Sequence, residues 1–125
     1  MSDNPPQRQK SMPTLAQSDT VLDRFISYYM THADATDVLY AIESSRDYDP
    51  APGLENIKAP LFAVNSQDDL INPRELRILE KEIKRVPHGQ YVIIPLSEKT
   101  RGHGTHTLAA IWKQYLEQLL KESAH

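Results

Sequence analysis

The sequence predicts an α/β protein with parallel strands, preceded by a helical hairpin. Two short apolar runs, at 61–64 and 91–95, are bounded by turn residues, which is typical of strands buried on both faces. Helical periodicity fills the segment between the runs and the segment after them. Two parallel strands need a crossover connection, and the intervening helix supplies it. The expected order is therefore strand–helix–strand–helix.

The composition suits one globular domain and excludes several functional classes. The chain has 125 residues, 39% hydrophobic and 25% charged, with a net charge of −3. Because the net charge is close to zero and slightly negative, a nucleic-acid partner is not expected. No apolar run approaches the roughly 20 residues that span a bilayer, and the polar, proline-rich start is unlike a signal peptide. No cysteine is present, which excludes disulfides, Cys-zinc sites and a cysteine nucleophile. We therefore expect a cytoplasmic protein without a membrane partner.

Three segments are predicted along the chain. Residues 1–17 read as an irregular N-terminal arm, because prolines interrupt a polar stretch. Residues 18–47 carry apolar side chains at helical spacing in two runs, which predicts a helical lid-like hairpin. Residues 48–125 hold the two predicted strands and form the C-terminal α/β subdomain.

The crossover between the strands is predicted as one continuous helix. Asn72 is the expected N-cap, Pro73 the first helical residue, and Glu75 stands three residues after the cap. The helix should run to about Arg85, with an apolar face at Leu76, Leu79, Ile83 and Val86. The last helix is expected from about 105 to 121.

Two loops follow the predicted strands and carry the candidate chemistry. In a parallel sheet, segments 66–73 and 101–107 leave from the carboxyl ends of the strands, where α/β folds place their sites. Asp69 can orient His103, which can then act as general base to a hydroxyl nucleophile. Asp69 is preferred because it lies four residues before Pro73, whereas Asp68 is expected to point to solvent. A helix-capping role for the aspartate and a simple turn at Gly-His-Gly remain open alternatives.

The same residues carry a resemblance to a known family. Asp69-Leu-Ile-Asn-Pro73 and Gly102-His103 resemble the acid and histidine segments of the α/β-hydrolase superfamily. Residues 58–66 resemble the seventh strand of the homoserine O-acetyltransferase-like branch, and the hairpin resembles part of its lid. The resemblance covers residues 18–120. It implies an α/β-hydrolase fold in which Asp69 and His103 are the catalytic acid and base of a Ser-His-Asp triad.

The resemblance also shows what these residues lack. The family nucleophile sits on a Gly-x-Ser-x-Gly elbow upstream of the lid, and no such sequence occurs among the 125 residues. The chain is therefore expected to be the C-terminal part of such an enzyme. The implied partners are a small-molecule acyl donor and acceptor, and either a complementing N-terminal half or a second copy in a homodimer.

Several functions stay open at this point. Acyl transfer and ester hydrolysis share the acyl-enzyme step, so the residues do not decide between them. The family implies no cofactor, with acyl-CoA as a possible substrate. In homoserine acetyltransferases an acidic residue typically follows this histidine, whereas Gly104 follows His103 here, which argues against homoserine as the acyl acceptor. The alternatives are a non-catalytic remnant or interaction module, and an unrelated small α/β binding domain.

Overall fold

The structure is a computed structural model that describes residues 4–124. The chain divides into two compact units, one of residues 8–49 and one of the other described residues. Among the described residues, no helix is both long enough and apolar enough to cross a membrane.

The N-terminal segment contains a helix, α1 (Pro5–Ser11), where the sequence predicted an irregular arm over 1–17. Pro5 and Pro6 occupy its first two positions, where the helix does not use the N–H that proline lacks. The side chain of Asn4 accepts a hydrogen bond from the backbone N–H of Gln7 at 3.0 Å and caps the helix. The prolines therefore start a helix here rather than break one. The prediction for residues 1–3 lies outside the described residues.

The unit of residues 8–49 contains the two predicted helices, α2 (Leu15–His32) and α3 (Ala35–Glu43). The first begins at Leu15, before the predicted start at 18, because Thr14 and Gln17 form a capping box. Asp34 caps α3 by accepting hydrogen bonds from two backbone N–H groups.

The other unit is built on a two-stranded parallel sheet of β1 (Leu61–Ser66) and β2 (Gly89–Ile94). Leu61 lies opposite Gly89, and the pairing runs without a break to Ser66 opposite Ile94. The prediction of an α/β chain with parallel strands is thus confirmed. The last helix, α5 (Ala109–Ser123), packs against β1 and begins later than predicted, because a short 3-10 helix (Gly104–Thr107) precedes it.

The crossover between the strands is not one continuous helix, so that prediction was wrong. Arg77 adopts a left-handed conformation (φ 53°), which interrupts the helical path. Leu76 is 62% exposed as a result, while Ile83 and Val86 are only 6% and 4% exposed. The crossover consists of a 3-10 turn (Arg74–Leu76), α4 (Ile78–Glu82) and a second 3-10 turn (Ile83–Arg85).

The core of this unit lies where the crossover meets β2. Ile83, Val86 and Ile94 are its buried apolar side chains. Gly89 starts β2 at a point where a Cβ atom would lie only 2.6 Å from the carbonyl oxygen of Ile83. The crossover backbone therefore approaches the strand more closely than any larger residue would permit.

The strands are less buried than the sequence predicted. Leu61, Val64 and Tyr91 are 37–38% exposed, although the apolar pattern indicated burial on both faces. Each strand also has a single strand neighbour among the described residues, so one edge of each strand is unpaired. Apolar parallel strands are ordinarily flanked by further strands and covered on both faces, whereas these side chains remain partly exposed.

Arg85 joins the segment before the sheet to the crossover. Its guanidinium contacts Glu55 at 2.6 Å, Glu82 at 2.6 Å and the carbonyl oxygen of Ala51 at 2.7 Å. Hydrogen bonds to the two carboxylates raise the pKa of Arg85 above its ordinary value. The Arg85 side chain thus holds the 3-10 helix Ala51–Asn56 to the end of the crossover.

Candidate active site

The candidate site lies at the carboxyl ends of the two strands. Since Ser66 and Ile94 are register partners at the ends of parallel strands, the loops that follow them leave from one edge of the sheet. The backbone N–H of Gln67 donates to the carbonyl oxygen of Ile94 at 2.9 Å and extends the pairing by one residue. This edge is where parallel sheets gather functional loops.

Asp69 and His103 meet at this edge. The Oδ2 atom of Asp69 lies 3.1 Å from Nδ1 of His103, across 34 residues of sequence. The Asp69 side chain is 3% exposed, whereas that of His103 is 37% exposed. The structure therefore brings the two predicted residues into one hydrogen-bonded pair, with the acid buried beneath the histidine.

The backbone of its own loop holds Asp69 in place. The second carboxylate oxygen, Oδ1, accepts hydrogen bonds from the N–H groups of Ile71 at 2.8 Å and Asn72 at 3.2 Å. The side chain of Asn65 donates to the carbonyl oxygen of Asn72 at 3.0 Å and closes the loop. Asn72 was expected to cap the crossover helix. Instead, its N–H donates to Asp69, and the residue before the first 3-10 turn is Pro73.

The electrostatics keep Asp69 ionised. Burial alone would raise the pKa of Asp69, but hydrogen bonds from His103, Ile71 and Asn72 outweigh burial and lower the pKa. An ionised carboxylate has no proton to donate, so Nδ1 of His103 must carry the shared proton. In neutral imidazole the lone pair then lies on Nε2. Within residues 4–124, Nε2 makes no hydrogen bond and is able to accept a proton.

Asp68 does not point to solvent, which corrects the sequence-based expectation. It is 8% exposed and has donors at both carboxylate oxygens. The Ser66 hydroxyl donates to Oδ1. The Gly102 N–H at 2.9 Å and the Thr100 hydroxyl at 3.0 Å donate to Oδ2. Burial would raise the pKa of Asp68, but the hydrogen bonds from Ser66, Gly102 and Thr100 overcome it, and the pKa lies below the ordinary carboxyl value.

Asn4 completes the surroundings of Asp68. Its side-chain nitrogen lies 3.0 Å from Asp68 Oδ2 and 2.8 Å from the Ser97 carbonyl oxygen. The carbonyl and hydroxyl oxygens of Thr100 are 2.6 and 2.8 Å away. Two amide protons are thus shared among four acceptors. Asn4 is 2% exposed and Thr100 is fully buried, so this cluster excludes solvent from the bottom of the site.

Neither a second histidine nor a cavity adds to the Asp69–His103 pair. His106 lies beside His103, with ring centroids 5.1 Å apart, but its Nδ1 contacts the backbone oxygen of His103 at 2.6 Å. Residues 4–124 contain no group of three side chains able to hold a metal ion. A shallow cavity of about 380 Å³ lies at the opposite end of the strands, away from Asp69. It is lined by Pro60, Pro87, His88, Gly89, Gln90 and Glu122.

The sequence pattern predicted a contact between Asp69 and His103, which the structure contains, but gave no indication that Asp68, Thr100 and Asn4 lie together beside it. The spacing Ser66-x-Asp68 at a strand end is a local signal that could have indicated a buried carboxylate bonded to a neighbouring hydroxyl. Nothing local marks Asn4, because its partners lie 64 to 96 residues away in sequence.

Comparison of the chain with family models, curated proteins and solved structures found no match.

Proposed function

We propose that this chain supplies two members of a Ser-His-Asp acyl-transfer site. Asp69 is the acidic residue of the triad and acts as a carboxylate, and His103 is its general base. In this proposal the chain is the C-terminal portion of an α/β-hydrolase-fold acyltransferase of the homoserine O-acetyltransferase-like branch. The observation that carries the proposal is the 3.1 Å contact between Asp69 and His103 at the carboxyl ends of the strands. Its serine nucleophile comes from polypeptide outside these 125 residues, since no Gly-x-Ser-x-Gly elbow occurs within them.

The geometry supports a defined sequence of proton transfers. A serine hydroxyl placed against Nε2 of His103 loses its proton to that nitrogen as its oxygen attacks the acyl carbonyl carbon. Asp69 stabilises the imidazolium that results. When the tetrahedral intermediate collapses, Nε2 returns the proton to the leaving group. A second hydroxyl compound then accepts the acyl group in a transferase, or water does so in a hydrolase.

The exposure of the strands supports a contribution from further polypeptide. Leu61, Val64 and Tyr91 are half-exposed, and each strand has an edge without a strand neighbour among residues 4–124. Apolar parallel strands are ordinarily covered on both faces. A complementing N-terminal half that adds strands to this sheet would cover them and bring the nucleophile. A homodimer is the other way to cover the same surface.

The test is labelling by a fluorophosphonate, which reacts with activated serines. The chain is mixed with the polypeptide encoded by the flanking sequence, and the serine that the probe has phosphonylated, with loss of fluoride, is located by mass spectrometry. We expect a serine on that polypeptide to be labelled only in the presence of this chain. Labelling should be lost with His103→Ala and with Asp69→Ala, and kept with His106→Ala, which removes a neighbouring imidazole that does not contact Asp69.

Three outcomes would overturn the proposal. Labelling that survives His103→Ala would exclude the pair from catalysis. A flanking sequence without a serine elbow would favour the non-catalytic interaction module. Hydrolysis of p-nitrophenyl acetate by the chain alone, with an acyl-enzyme burst lost in His103→Ala, would show that the nucleophile lies among these residues.

A further inference from the structure

We infer that Asp68 is a positioning residue for His103, acting through the backbone of Gly102. The inference rests on the proposed function, because it assigns a role within the same site. Asp68 does not touch the imidazole. Its Oδ2 atom accepts the N–H of Gly102 at 2.9 Å, and Gly102 directly precedes His103.

Two consecutive carboxylates hold two consecutive residues of the opposite loop. Asp68 holds Gly102 through the backbone, and Asp69 holds His103 through the side chain; both contacts span 34 residues. Because the anchors are adjacent at the end of β1, the position and the direction of the histidine are set from one strand end. A single contact to the ring would leave the backbone of His103 free to shift.

The conformation of Gly102 explains why its backbone needs an anchor. Its φ is 54°, in the left-handed region that glycine adopts readily. Thr105 fixes the far side of the turn, since its N–H donates to the Gly102 carbonyl oxygen at 3.0 Å and its hydroxyl accepts from the Arg101 N–H at 2.9 Å. Among the described residues, the contact to Asp68 is the one that joins a Gly102 atom to the loop after β1. Without it, the Asp69–His103 contact would still join the two loops, but the backbone at Gly102 would be free to move.

The surroundings of Asp68 are built for this purpose. Ser66 binds the oxygen that faces away from Gly102, while Thr100 and Asn4 bind the same oxygen as Gly102. A charged acceptor strengthens each of these bonds, and burial excludes the water that would compete for Gly102. Asp68 thus accepts four hydrogen bonds, from Asn4, from Ser66 and from the segment that holds Thr100 and Gly102. An aspartate that only ended the strand would not need donors from three separate segments.

The experiment is solution NMR of the ¹⁵N-labelled chain, which needs no catalytic activity. Two signals are followed: hydrogen exchange at the Gly102 amide, and the Nδ1–H resonance of His103. In Asp68→Ala we expect Gly102 to exchange about tenfold faster or more, and the Nδ1–H resonance to broaden or disappear. Asp68→Asn should restore both signals, because its amide oxygen accepts from Gly102 while its NH₂ faces the Ser66 hydroxyl. Asp19→Ala, which removes an exposed carboxylate of α2, is the matched control and should leave both signals in place.

The outcomes separate this inference from the proposed function. An Asp68→Ala chain with both signals as in wild type would overturn the positioning role alone. A wild-type chain without the Nδ1–H resonance would overturn the Asp69–His103 pair, and the proposed function with it. If Asp68→Ala does not fold, titration of the wild type decides. As the pH is lowered, the chemical shift of the Gly102 amide proton should change together with that of the Asp68 carboxyl carbon. It should not change together with the shift of the Asp69 carboxyl carbon or of the His103 ring. A Gly102 shift that does not change with the protonation of Asp68 would overturn the inference.

Discussion

Asp68 Oδ2 accepts a hydrogen bond from the backbone N–H of Gly102 at 2.9 Å, and the next residue on each loop forms the contact between Asp69 and His103. The two loops are therefore joined twice at adjacent positions, once through backbone and once through side chains. Such a double anchor fixes a histidine better than a side-chain contact alone, since a catalytic base must be held close to its productive geometry.

Replacing His103 by alanine should raise the pKa of Asp69. The hydrogen bond from His103 is the largest of the interactions that lower this pKa, and burial would raise it once that bond is lost. Carboxyl ¹³C titration of Asp69 measures the change. His106→Ala is the control and should leave the Asp69 titration nearly unaltered. Equal shifts in the two variants would mean that nearby imidazole charge, and not the hydrogen bond, sets the pKa.

The unit that contains the site should lose stability in acid. The pKa values of Asp68 and Asp69 are lowered in the folded chain, so their contribution is complete above the unfolded carboxyl pKa of about 3.9. It is lost as the pH falls through the folded values. Urea unfolding followed by fluorescence of Trp112, the single tryptophan, should show a falling midpoint below about pH 4.

The carboxylates of Glu55 and Glu82, whose pKa values are also lowered, add to this acid dependence. The difference between wild type and Asp68→Asn therefore isolates the contribution of Asp68. The variant should be less stable at pH 7 and should depend less steeply on pH. If the unfolding midpoints of the two proteins fell in parallel as the pH is lowered, Asp68 would contribute nothing to the acid transition.

Gly89→Ala should destabilise the chain by about 1–3 kcal/mol. The new methyl group would lie 2.6 Å from the carbonyl oxygen of Ile83 and 2.9 Å from Cβ of Val86, so the crossover backbone would have to move. The matched control is Gly53→Ala, where a Cβ atom meets nothing within 4 Å. That variant should be unchanged or more stable by up to about 1 kcal/mol. Urea unfolding would contradict the prediction if the two glycine variants behaved alike.

The break at Arg77 predicts different costs for two apolar residues of the crossover. Ile83→Ala should lower the free energy of unfolding by about 2–5 kcal/mol, because Ile83 is 6% exposed. Leu76→Ala should change it by no more than about 0.5 kcal/mol, because Leu76 is 62% exposed. In a continuous amphipathic helix both residues would lie in the core. Similar losses for the two variants would therefore argue for that continuous helix.

The parts of the fold that followed local rules could be predicted from the sequence. The strands 61–66 and 89–94 carry continuous apolar runs, and their parallel pairing follows from the long connection between them. Asp69 and His103 could be paired because each follows its own strand and parallel strands end at one edge.

Features that depend on distant contacts could not be predicted. The left-handed Arg77 has neither glycine nor proline beside it to indicate a break. Asp68 looks like its neighbour in the sequence, and only the positions of Thr100 and Gly102 decide that it is buried. The sequence does not show whether Pro5 and Pro6 break a helix or begin one, because proline favours a helix only at its first positions and the start of α1 depends on the distant partners of Asn4.

The contact between Asn4 and Thr100 has a consequence for biosynthesis. The two residues are 96 positions apart, so Asn4 is made long before the oxygen atoms that surround it. At synthesis rates of about 5–20 residues per second, roughly 5–20 s pass between the synthesis of Asn4 and that of Thr100. Asp68 is also made before Thr100 and Gly102, and it lacks two of its donors until they exist. The cluster around Asp68 can therefore close only after Gly102 has been made, when the segment of Asn4 returns to residues synthesised up to 96 positions later.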